Sequence, residues 1–160
     1  MAPIVQRGFA DAGQFRAWLA ANHATVTVLW LVFFKKHACR ESISYEDAVR
    51  QALCYGWIDS IVKRLDDDRC LRKFTPRTNR AKWSRSNIER AIELIRSRRM
   101  TAAGYAVLPS RNVEELKRYT AVQRPVISRT PPFILAGLRR DPQARTRFAA
   151  LPPSQRRSFV

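Results

Sequence analysis

Seven consecutive apolar residues, Val28 to Phe34, read VLWLVFF and mix β-branched, aliphatic and aromatic side chains. A helix needs ~20 such residues to cross a bilayer, so this run belongs to a folded core and not to a membrane span. Without polar alternation, it predicts a strand over Val26 to Phe34 that is central in its sheet and covered on both faces. The rest of the chain has to supply those covers. With 160 residues, 46 % of them hydrophobic, it holds enough apolar material for one domain, or one domain and a short appendage.

Helical patterns stand on either side of the strand. From Ala12 to Asn22, Phe15, Trp18 and Leu19 share a face, and Asp11 with Gln14 forms a capping box. A second helix opens at Ser44 with Asp47 as capping partner, buries Ala48, Val49, Ala52 and Leu53, and stops at Gly56 in the left-handed conformation. Ile58 to Leu65 and Arg69 to Thr75 predict a hairpin turning through Asp66, Asp67 and Asp68, with Pro76 closing its second strand. Ser86 with Glu89 predicts the start of a third helix, with Ile88, Ala91, Ile92 and Ile95 inward; Met100 to Val107 predicts a short fourth.

Beyond Pro109 the pattern weakens into a partly helical connection. Pro131 and Pro132 then open a helical segment with Phe133, Leu135 and Leu138 inside, followed by another over Ala144 to Leu151. The expected fold is α+β, with helices packed on a small, mainly antiparallel sheet of three strands. Its divisions are a signature domain over 1–110, a connection over 111–130 and a helical tail over 131–160.

Thirty Lys and Arg residues oppose thirteen Asp and Glu, for a formal net charge of +17. A surface of that sign attracts polyanions, so nucleic acid and anionic lipid are the partners it favours. No helix-turn-helix, zinc-finger, KH or RNP pattern accompanies the charge. The N-terminus MAPIVQRGFADAG lacks a basic start followed by an apolar segment, and Cys39, Cys54 and Cys70 are odd in number and widely spaced. Both features lead to a cytoplasmic expectation.

The stretch ALCYGWIDS, residues 52 to 60, gathers the residues that chemistry could use. Cys54 lies at a helix C-terminus, where the dipole opposes a thiolate, so it reads as a small buried residue and not a nucleophile. His37 with Cys39 is the only close pair of soft ligands, and CxxC spacing is absent; no metal site is assigned. Asp59 is the acid worth following, either as an acid–base group or as the partner of a local arginine. Period two puts it on one strand face with Ile61, Lys63 and Leu65, opposite Ile58, Ser60, Val62 and Arg64.

The densest basic stretch follows: Lys63, Arg64, Arg69, Arg72, Lys73, Arg77, Arg80, Lys82 and Arg85, with Phe74 and Trp83 interleaved. One reading holds a phosphate at the third helix start and stacks a ring on Trp83; the other leaves a solvated hairpin with both aromatics in the core.

The ordered motifs WLAANH, LWLVFFKK, SYEDAV, ALCYGWIDS, KRLDDD, KFTPR, WSRSNIERA and RMTAAG resemble the bacterial YdeI/OmpD-associated proteins, also called bacteriocin-protection proteins. The resemblance covers Phe15 to Gly104. The tail TPPFILAGLRRDPQARTRFAALPPSQRRSFV is similar to that family's proline-led second helical part. That part normally continues into an Arg-rich helix, whereas here only six residues follow Ser154, which suggests a truncated or naturally short form. Ala81, Arg98 and Ala102 depart from the pattern, where serine, glycine and proline are usual.

The resemblance implies a cytoplasmic accessory protein linked to tolerance of bacteriocins, antimicrobial peptides or envelope stress, acting by binding and not by catalysis. It carries no catalytic residue, metal or cofactor. Candidate ligand-binding residues are Trp57, Asp59, Lys63, Arg77, Arg80, Trp83, Ser84 and Asn87, while Cys54, Gly56 and Pro76 are structural. The partner is an anionic small molecule or nucleic acid, with oligomeric state open. Two other readings stand beside it: a general nucleic-acid binder using the basic surface, and a small enzyme with Asp59 as acid–base group and Arg77 as anion clamp.

Overall fold

The computed structural model describes residues 4–38, 40–122 and 130–151. The chain divides into two units, Met1–Gln123 and Arg124–Val160. The first contains β1 (Ile4–Gly8), α1 (Ala12–Asn22), β2 (Val28–Phe34), a 3-10 turn, α2 (Tyr45–Cys54), β3 (Trp57–Arg64), β4 (Arg69–Pro76), α3 (Arg85–Arg96), α4 (Ala102–Val107) and α5 (Val113–Val122). The second contains α6 (Pro132–Arg140) and α7 (Pro142–Ala150). The fold is a mixture of α and β, as expected.

The sheet has four strands and not three, in the order β1-β2-β4-β3. The strand missed is β1, a five-residue edge strand, IVQRG, too short and mixed in polarity to show a period. It pairs parallel to β2 from Ile4 opposite Val28 to Gly8 opposite Val32, while the other two pairings are antiparallel. The acidic turn of the β3–β4 hairpin forms as read: Asp66 Oδ1 accepts hydrogen bonds from the backbone N–H groups of Asp68 and Arg69, at 3.0 and 2.7 Å.

The run VLWLVFF is an inner strand, but only one of its faces enters a core. Leu29, Leu31 and Phe33 join Phe15, Trp18 and Leu19 of α1 and Trp57 and Phe74 of the hairpin. Val28, Trp30, Val32 and Phe34 belong to neither core cluster, and Val28, Trp30 and Phe34 are half-buried. The apolar run reflects one face packed in the core and one face on which Val32 is buried while Val28, Trp30 and Phe34 are half-buried.

Helix α2 joins two cores. Ala48 and Ala52 face the sheet-side core, while Val49, Leu53 and Cys54 pack with Ile88, Ala91 and Leu94 of α3, Leu108, and Leu116 of α5. Fully burying a valine, leucine or isoleucine among them contributes about 1.5–3 kcal/mol. Two caps expected from sequence are present: Asp11 Oδ1 accepts from Gln14 N at 2.8 Å and Ser44 Oγ from Asp47 N at 3.0 Å. The third cap moves. Ser84, not Ser86, is extended and accepts from Asn87 N, so α3 starts at Arg85, two residues earlier than a Ser86 cap would place it. Ile88, Ala91 and Ile92 are buried as expected, and Leu94 is buried in place of Ile95, which is only half-buried.

Gly56 has φ +73°, and a Cβ there would stand 2.8 Å from the carbonyl oxygen of Ala103. That close approach fixes α4 against the end of α2. Arg98, at the position where the resemblance leads one to expect glycine, has φ +56° and is the one described non-glycine residue with positive φ. Its N–H bonds Ile95 O at 3.0 Å and Arg99 N–H bonds Leu94 O at 2.9 Å, which is Schellman capping of α3.

In the second unit, Phe133 and Leu135, expected inside, are 74 % and 43 % exposed. Helices α6 and α7 are only nine residues each and bury no residue fully.

Candidate functional site

A β-bulge decides which residues meet. Asp59 lies opposite Phe74, but Val62 lies opposite Arg72, so the register shifts by one residue between Asp59 and Val62. The extra residue breaks the simple period-two reading of β3. Asp59 shares the core face with Phe74 and Arg72, and Lys63, opposite Leu71, falls on the other face instead of beside Asp59. Lys63 Nζ sits 4.9 Å from the ring centre of Trp30 there.

On the core face, Asp59 Oδ2 accepts a hydrogen bond from Arg72 Nη1 at 2.8 Å and another from Tyr45 Oη at 3.0 Å. The Asp59 side chain is only 12 % exposed. The Arg72 guanidinium lies over the Tyr45 ring, 4.1 Å from its centre. Burial, reinforced by the Asp59 charge and hydrogen bond, raises the Tyr45 phenol above its ordinary value. Of the two readings of Asp59, the arginine partner is the one in place.

Next to this trio, Glu46 ties α2 to α3. Its Oε1 and Oε2 accept from Nε and Nη2 of Arg90 at 2.8 and 2.7 Å, and Oε1 also accepts from Arg50 at 3.0 Å. Hydrogen bonding to Arg90 holds the Glu46 carboxyl well down, to about 2. Arg50 reaches Glu93 at 2.7 Å, and Arg90 reaches Asn87 Oδ1 at 3.0 Å.

Arg77 differs from these arginines. Its guanidinium carbon stacks 3.9 Å from the ring centre of Trp83, and Nη1 donates to Lys82 O at 2.9 Å. No carboxylate of the described residues lies within ion-pairing distance, and its buried Nε has no hydrogen-bond partner. Burial lowers its pKa, opposed by the charges of Asp59 and Tyr119. Tyr119 Oη donates to Ala81 O, bracing the loop that carries Arg77's partner Lys82.

The remaining candidates take structural places. Trp57 is 1 % exposed, edge-on to Trp18, with Nε1 donating to His23 O at 3.3 Å; Trp83 is 3 % exposed and presents no free ring for stacking. Ser84 caps α3, and Arg80 is exposed in the loop. Pro76 ends β4 opposite Trp57. Cys54 is buried, its thiol pKa raised by desolvation, and its carbonyl accepts from Thr101 Oγ1 at 2.5 Å. Among the described residues no group of three or more His, Cys, Asp or Glu is placed to hold a metal, and no helix is long and apolar enough to cross a membrane.

Residues that sequence reading left out are Tyr45, Glu46 and Arg90. The first two belong to SYEDAV and the last to WSRSNIERA, so the motifs contained them, but nothing local pairs a helix start with a strand or a second helix. The model of a domain of unknown function, DUF8412, matches residues 7–107. The chain belongs to the DUF8412 family. The DUF8412 region includes Tyr45, Asp59, Arg72, Arg77, Trp83 and the Glu46–Arg90 pair, whereas Tyr119 lies beyond it. No curated protein and no solved structure matches this chain.

Proposed function

We propose that this protein acts by binding and not by catalysis, as a bacterial cytoplasmic accessory protein of the YdeI/OmpD-associated kind, linked to tolerance of bacteriocins, antimicrobial peptides or envelope stress, and that its ligand is a small anion held at Arg77. The observation that carries the anion reading is a half-buried guanidinium with no carboxylate partner among the described residues and an unsatisfied Nε. A buried polar group without a partner is costly, and an anion would relieve that cost. The motif resemblance supports the cellular role. The enzyme reading has weaker support, because the Asp59 oxygen it would use already accepts from Arg72 and Tyr45.

The test is calorimetric titration of the full chain with inorganic phosphate and pyrophosphate, beside Arg77→Gln. Saturable binding that Arg77→Gln abolishes is the expected result. No heat with the intact protein, or equal binding in both proteins, overturns the reading.

A further inference from the structure

The face of the sheet turned away from the α1 and α2 core carries its own pattern. Register places Val28, Trp30, Val32 and Phe34 of β2 on it, beside Leu71, Lys73 and Thr75 of β4 and Lys63 of β3. Trp30 lies directly opposite Lys73, with Lys63 Nζ above its ring. At the end of the strand, the Arg40 guanidinium lies 5.5 Å from the centre of the Phe34 ring, and Arg69 pairs opposite Phe34.

Charge on this face has one sign. Asp59 is the only acidic residue in the four strands, and it sits on the opposite face. The three acids of the adjoining hairpin turn, Asp66, Asp67 and Asp68, are engaged by Arg69, Arg64 and His37. What remains is a half-buried aromatic ring on an inner strand, with Lys63 against it and Lys73 at the position opposite on β4.

From this we infer that the outer sheet face, centred on Trp30 with Lys63 and Lys73, is a binding platform for single-stranded nucleic acid. An aromatic side chain stacks any base by its face, while neighbouring lysines take the phosphates on either side. Displacing Lys63 from the Trp30 ring frees both groups for one nucleotide. A duplex hides its base faces, so it can use the lysines but not the ring. Different residues on the other face of the sheet carry this inference, and it stands whether or not Arg77 binds a small anion.

The experiment is fluorescence anisotropy of the full chain with labelled oligo-thymidylate and oligo-uridylate about 20 nucleotides long and a duplex of the same length, over a range of salt. Three variants accompany it: Trp30→Leu, Lys63→Gln/Lys73→Gln, and the off-face control Arg96→Gln/Arg111→Gln, which removes the same charge. Trp30→Leu is expected to weaken single-strand binding roughly tenfold and to leave duplex binding unchanged. The lysine pair should flatten the single-strand salt slope by roughly 1.4, with the control leaving it in place. Both lysines sit on the sheet surface, so their variant reads out even if Trp30→Leu fails to fold. Equal weakening by both charge-matched doubles, equal affinity for duplex and single strands, or no binding at low salt overturns the inference.

Discussion

Glu46 and Arg90 meet with both carboxylate oxygens on guanidinium nitrogens, at 2.8 and 2.7 Å, and so clamp the first turn of α2 to the middle of α3. The two helices bury a common core beneath this pair, and Arg50 joins Glu46 and Glu93 alongside it.

The clamp makes stability depend on acid. Glu46 in the folded chain keeps its charge down to about pH 2, whereas the ordinary glutamate value is 4.5. Its contribution is complete above 4.5 and is lost as pH falls toward 2. Because nearly half of the Glu46 side chain is exposed, solvent screening keeps the contribution to about 1 kcal/mol. Urea unfolding of wild type and Glu46→Gln should show that gap at neutral pH and less than half of it near pH 3. A constant gap would contradict the assignment. Tryptophan fluorescence is a clean probe, since Trp18, Trp30, Trp57 and Trp83 all lie in the first unit.

Asp59 and Arg72 should behave as a coupled pair. Asp59→Leu leaves Arg72 partly buried without its carboxylate and should cost about 2 kcal/mol. Adding Arg72→Leu removes the stranded charge and should restore much of the loss. A double-mutant cycle measures the coupling, and strict additivity of the two single changes would show that the pair does not act as one.

Two positions with left-handed backbone respond in opposite directions. Gly56→Ala forces a side chain onto positive φ and against Ala103 O, and should destabilise by about 2 kcal/mol or more. Arg98→Gly relieves an L-residue held at φ +56° and should stabilise by about 1 kcal/mol. Denaturant midpoints of the two variants give both signs directly.

Cys54 should resist alkylation in the native state. Its thiol is buried and its pKa raised by desolvation, so little thiolate is available near neutral pH. Cys70 is only half-buried and should modify first. Peptide mapping after brief iodoacetamide treatment separates the two sites; native labelling at Cys54 ahead of Cys70 would reverse this account.

Features set by neighbours in the chain were legible from sequence. Asp11 and Ser44 cap helices because a short oxygen-bearing side chain reaches an amide three residues on, and the Asp66 turn closes for the same local reason. The stop at Gly56 follows from its freedom at positive φ. Even where a cap moved, from Ser86 to Ser84, the difference stayed within one turn, because two serines of equal capping chemistry stand two residues apart.

Only the tertiary structure decided what depends on pairing between distant segments. β1 has too few residues to announce itself and is a strand because β2 offers it an edge. One extra residue in β3 separates Asp59 from Lys63, giving the first to Arg72 and Tyr45 and the second to Trp30, a division that no period-two count contains. Trp57 and Trp83, prominent in the motifs, are filled into cores, while Trp30, hidden in the most apolar run, stands on the more open face. A sequence lists the groups that can bury or bond; register and packing determine which of them are left facing water, and binding begins there.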